Sequence, residues 1–176
     1  MGKEQDNRQH PFTLEEVVQI AKDAALRDGA HAPTVIVEGS SGRVIGQIEE
    51  FPDTHEGRVQ RMRSAGFAMA QAGDVGRPKQ VFFVSEGWLS IGKEGKPPET
   101  QPSQDPNRKE ILLITQLILE KKQTKALCLE MIRNASGRLA ALKTMSGVDE
   151  EGSTMESPLL TALMEGFRLG TRSGIN

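Results

Sequence analysis

The sequence predicts an α+β fold, a single mostly antiparallel sheet of five or six strands with helices packed on it, and three observations lead there. Two pairs of β-branched and aliphatic runs are each joined by a short polar turn, the spacing of a hairpin rather than of a crossover. Three other segments carry apolar residues at helical spacing, and each opens on a capping signal. The segment Val81-Phe82-Phe83-Val84 is apolar at consecutive positions, so a strand there needs cover on both faces of its sheet.

Residues 1–11 are polar and unpatterned and read as a flexible tail before a single domain over 12–176. Phe12-Thr13-Leu14-Glu15-Glu16-Val17 holds a capping box, in which the Thr13 hydroxyl accepts from the Glu16 N–H while the Glu16 carboxylate reaches back; Phe12 and Val17 stand as a hydrophobic staple. Leu14, Val17, Val18, Ala21, Ala24 and Ala25 recur at helical spacing until Asp28-Gly29, so the first helix covers 13–28. Runs 34–38 and 43–49 flank Gly39-Ser40-Ser41-Gly42 as the first hairpin, and Gly46 within it marks a bulge or a close packing contact. Asp53 or Thr54 caps a second helix with a buried stripe of Val59, Met62, Gly66 and Met69, ending at Gly73. A strand follows over 80–91. Residues 93–109 carry Pro97, Pro98, Pro102 and Pro106, which forbid regular structure, and so long a loop in a compact domain is functional or mobile. The runs 110–120 and 124–133 form a second hairpin across Lys121-Lys122-Gln123, and 138–145 adds a sixth strand. After an acidic stretch over 147–156, Ser157-Pro158 opens a terminal helix built on Leu159, Leu160, Leu163, Met164 and Phe167.

Composition excludes several classes of function. Lys and Arg (22) nearly balance Asp and Glu (24), which is not the basic excess of a dedicated nucleic-acid binder. A single cysteine allows neither an internal disulfide nor a Cys-rich zinc site. The longest apolar stretches, 81–84 and 111–114, fall far short of the ~20 residues that cross a bilayer. The first residues lack the apolar core of a signal peptide, and Asp6 stands where a myristoylation motif has Ser or Thr. The expectation is a cytoplasmic protein without a membrane partner. There is no Tyr, so Trp88 is the only ring that combines a large apolar area with a polar tip.

The element order resembles that of the roadblock, profilin-like and GAF-like groups, in which a five- or six-stranded antiparallel sheet carries helices on one or both faces. The segments His31-Ala32-Pro33-Thr34-Val35-Ile36-Val37-Glu38-Gly39, Val81-Phe82-Phe83-Val84-Ser85-Glu86-Gly87-Trp88-Leu89-Ser90 and Pro102-Ser103-Gln104-Asp105-Pro106-Asn107-Arg108-Lys109-Glu110 resemble those of an uncharacterised prokaryotic protein family. That resemblance implies a prokaryotic source and no activity.

Candidate chemistry is sparse. His10, His31 and His55 lack a second ligand at metal-site spacing, so no metal is expected, and Asp53, His55 and Glu56 read as capping groups near the positive end of a helix. Cys128, flanked by Ala126, Leu127 and Leu129, reads as a small core residue. No nucleophile elbow or phosphate loop is present, and no cofactor is implied.

The most informative segment is Ser85-Glu86-Gly87-Trp88, where Glu86 and Trp88 share a strand face with Phe82 and Val84. A closed face would desolvate Glu86 and suit it to acid–base work; an open face leaves it solvated and paired with a cation from a neighbouring strand. Asp105 and Arg108, on the Pro-rich loop, are the groups that could fold back onto Glu86 or Trp88, although Asp105-Pro106-Asn107 is also plain turn chemistry. Arg58, Arg61 and Arg63, followed by Arg77 and Lys79, face only Glu56 and Asp74 in the same stretch and offer a surface for a protein partner or, less favoured without interleaved aromatics, for nucleic acid. The acids at 149–151 and 156 could neutralise them within a protomer or across a dimer.

The leading reading is a non-enzymatic, homodimeric interaction or regulatory domain, with a protein partner. The competing readings are a small hydrolase or ligand-binding enzyme using Glu86 near Trp88, and a weak nucleic-acid binder.

Overall fold

The computed structural model describes residues 10–92, 101–145 and 157–173. One six-stranded, fully antiparallel sheet runs through the molecule in the order β2-β1-β3-β4-β5-β6, with helices on both faces. The elements are α1 (Leu14–Asp28), β1 (Thr34–Gly39), β2 (Arg43–Gln47), α2 (His55–Ala72), β3 (Pro78–Leu89), β4 (Lys109–Ile118), β5 (Gln123–Arg133), β6 (Leu139–Thr144) and α3 (Pro158–Ser173).

Local chemistry accounts for most element ends. The capping box at Thr13 and Glu16 is formed in both directions, and Gly29 closes α1 in the left-handed conformation at φ 78°. Of the two candidate caps for α2, Thr54 does the work, its hydroxyl accepting from the Gly57 N–H at 3.2 Å. Gly46 is a packing position and no bulge: β2 stays in register there, and the Met69 side chain lies at van der Waals distance, its sulfur 3.4 Å from where a methyl group would stand. The prolines do not forbid all regular structure in the loop. Residues Pro102–Gln104 form one 3₁₀ turn with Pro102 at its first position, where the missing N–H has no partner to lose.

Alternation along the strands sorts side chains to two cores. Val35, Val37, Val81 and Phe83 face α2 and α3, meeting Met62, Met69, Leu160, Leu163 and Phe167. Ile36, Phe82, Val84, Leu112, Ile114 and Leu129 face the other way, under Val17, Ala21 and Ala25 of α1. The consecutive apolar run in β3 is thus explained by a helix layer on each side. On the first face, α2 and α3 cross at backbone contact. A methyl at Gly66 would overlap the Leu163 carbonyl oxygen, and one at Gly166 would overlap that of Arg63.

A buried polar clasp fixes the start of α1 to the sheet. Glu38, 5% exposed on β1, accepts from the Phe12 N–H at 3.0 Å and from Gln80 Nε2 at 2.6 Å, and pairs with Arg43 Nε at 3.0 Å. Gln80 also donates to the Phe12 carbonyl and accepts from Gln116, while the Arg43 guanidinium lies 3.8 Å from the Phe12 ring centre and donates to the His10 carbonyl. The chain is therefore tied to the sheet from His10 onward; the rest of the predicted tail lies outside the described residues. No described helix is long and apolar enough to cross a membrane.

Candidate functional site

The predicted site forms where β3 runs out past β1. The β1 register ends at Thr34 opposite Val84, whereas β4 continues alongside β3 as far as Lys109 opposite Leu89. Residues 85–89 consequently have a ladder partner on the β4 side and none on the β1 side among the described residues. Glu86 and Trp88 stand on the α1 face, as their parity with Phe82 and Val84 requires.

The two side chains have different surroundings. Glu86 Oε1 accepts from the His31 backbone N–H, so the carboxylate holds the connection between α1 and β1. Directly across from Trp88 is Glu110, which forms a two-pronged pair with Arg133 at 2.7 and 2.6 Å. Arg133 also donates to the Gly29 carbonyl at the end of α1, a cation at the negative end of a helix. Hydrogen bonding to Glu110 raises the guanidinium pKa, with the nearby Glu86 charge adding to it. Trp88 is 48% exposed, and the Arg108 guanidinium lies over its ring at 4.1 Å from the centre.

Asp105 positions that arginine through a turn. Its carboxylate accepts from the Asn107 N–H at 2.8 Å, and its carbonyl from the Arg108 N–H at 3.2 Å. The buried Ser90 hydroxyl lies beside the Asp105 carboxylate without reaching a well-aligned hydrogen bond; its proximity, followed by the Asn107 N–H, keeps the Asp105 pKa below the usual value. Of the four predicted residues, Trp88 and Arg108 are in contact, Asp105 supports them, and Glu86 is engaged with backbone. Sequence reasoning missed Glu110, Arg133 and Ser90. Only the β3–β4 register and the return of β5 reveal the first two, and nothing local distinguishes the third.

The other predicted groups lie away from this end of β3. Arg58 donates to the Pro52 carbonyl at 2.7 Å, Arg61 reaches Glu50 at 3.9 Å, and Arg63 pairs with Glu165 of α3 at 2.9 Å. Arg58 and Arg63 are thus engaged by neighbouring groups, while Arg61 stays exposed on the helix. The acids expected to neutralise them, at 149–151 and 156, lie outside the described residues. Cys128 is buried, and burial followed by the Glu130 charge pushes its thiol pKa up, away from a reactive thiolate. Among the described residues no group of three or more His, Cys, Asp or Glu side chains is placed to hold a metal ion.

Comparison with protein-family models, with curated proteins and with solved structures finds no match.

Proposed function

We propose that this chain is a non-catalytic interaction or regulatory domain of the cytoplasm that works as a homodimer, joined along the end of β3. The observation that carries the reading is the stretch 85–89, a strand edge without a β1 partner that bears a half-exposed tryptophan. Such an edge is a template for another strand. A second copy fits it by symmetry, because antiparallel pairing of this stretch with itself about Gly87 sets Glu86 of each copy opposite Trp88 of the other. Charge then matches as well: Glu86 of one copy comes beside Arg108, which lies on Trp88 of the other. Ile91, 63% exposed, extends the apolar contact.

The engagement of Glu86 with the His31 N–H supports a positioning role for that carboxylate over acid–base catalysis. Sedimentation equilibrium tests the proposal. The wild type is expected to sediment as a dimer at micromolar concentration and Trp88→Glu as a folded monomer. A wild type that stays monomeric throughout, or a Trp88→Glu dimer of unchanged strength, overturns it.

A further inference from the structure

The start of β3 carries a second feature, at the opposite end of the strand from Trp88 and about 30 Å away at strand rise. A cleft of about 460 Å3 opens there between the sheet and α3, a volume in the range of small-molecule sites. Among the described residues three cations line it, Arg77, Lys79 and Arg168, against one acid, Glu120. The fold brings them together from distant parts of the chain. Arg77, just before β3, and Lys79, at its start, line the cleft beside α3, where Arg168 stands one turn beyond Met164. The Lys79 carbonyl accepts from the Leu119 N–H at 2.9 Å, which seats Leu119 and Glu120 at the rim. Ser40 fixes the Arg77 backbone from both sides, its N–H donating to the Arg77 carbonyl and its hydroxyl accepting from the Arg77 N–H, each at 3.0 Å.

Unlike the cations that the fold ties to a carboxylate, these three are left with their charge uncompensated, and the cleft gathers them in one place. Arg27, Arg43, Arg63, Arg133 and Lys109 each have a carboxylate within 3.0 Å, whereas Arg77, Lys79 and Arg168 have no ion-pair partner among the described residues. Like charges gathered in a concave site, three against one acid, leave a net positive field that attracts an anion. Leu119 and Met164 add an aliphatic wall, and among the described residues no aromatic ring lines the cleft to stack on a base.

We infer that this cleft binds a small organic phosphate, the dianionic phosphoryl group held by Arg77, Lys79 and Arg168 and a short aliphatic body resting on Leu119 and Met164. The guanidinium forks match phosphoryl oxygens in pairs, and the lysine supplies a point charge. This site is independent of the dimer contact at the other end of β3.

Calorimetric titration of the full chain with monobutyl phosphate and, separately, with inorganic phosphate tests it. Saturable one-to-one binding of the butyl ester is expected, tighter than that of the inorganic ion and weakened by added salt. The double variant Lys79→Gln, Arg168→Gln should lose about tenfold or more in affinity while retaining its melting temperature, and Arg61→Gln should bind as wild type. Equal affinity for the two phosphates overturns the aliphatic part of the inference. Absence of saturable binding, unchanged binding by the double variant, or tighter binding of a single-stranded oligonucleotide than of the ester overturns the site as assigned.

Discussion

Glu38 illustrates how much a single buried carboxylate can hold. Its two oxygens satisfy the Phe12 N–H, Gln80 and Arg43, and the pair with Arg43 is nearly shielded from water. Removing one partner of such a pair leaves the other charge buried and uncompensated, so Glu38→Ala should cost about 3–5 kcal/mol in urea unfolding, and Glu38→Gln less. Asp105 works by a gentler route at the surface. Because its folded pKa is lowered, its contribution is complete above the ordinary Asp value of about 3.9 and disappears as pH falls through the lowered value. The stability difference between wild type and Asp105→Asn should therefore be level from neutral pH down to about 4 and shrink below it. Cys128 should resist an aromatic disulfide reagent in the folded protein and react fully once urea unfolds it, since burial keeps the thiol both protonated and covered.

At the scale of elements, the crossing of α2 with α3 is the least tolerant feature. Gly66 and Gly166 each face the backbone of the opposite helix, which cannot move aside as a side chain can. Gly66→Ala should destabilise by about 1–3 kcal/mol or more through overpacking, whereas at Gly73 a methyl would meet only Val44 at 3.8 Å and Gly73→Ala should be close to neutral. Parallel thermal melts check both. Thr13→Ala should cost about 1 kcal/mol, because the α1 cap is a reciprocal box and not a single hydrogen bond. The terminal elements follow the same logic: Ser157 Oγ accepts from the Leu160 N–H at 3.4 Å, and Pro158 opens α3 where its lost donor has no helical partner.

For the whole molecule, two helix layers on opposite faces of one sheet make a double core, with α1 held at both ends by polar contacts: Glu38 near its start and Arg133 at Gly29. Dimerisation along 85–89 would stabilise that whole by mass action. The melting temperature of the wild type should rise with protein concentration, and that of Trp88→Glu should not.

Much of this architecture was legible in the sequence, because its causes are local. Both hairpins, the caps at Thr13 and Ser157, the stripe along α2 and the sixth strand follow from turn chemistry and periodicity within a few residues. The face shared by Glu86 and Trp88 follows from strand parity alone, and a buried Cys128 follows from its aliphatic neighbours. What the tertiary structure decided is non-local: that β1 pairs with β3 and stops at Val84, that Arg108 returns to Trp88, that Glu38 is buried in a clasp, and that Arg168 joins Arg77 and Lys79 across some 90 residues of chain. Those meetings depend on register and layer packing, which are set by the combined burial of two cores; no short window of sequence contains that information.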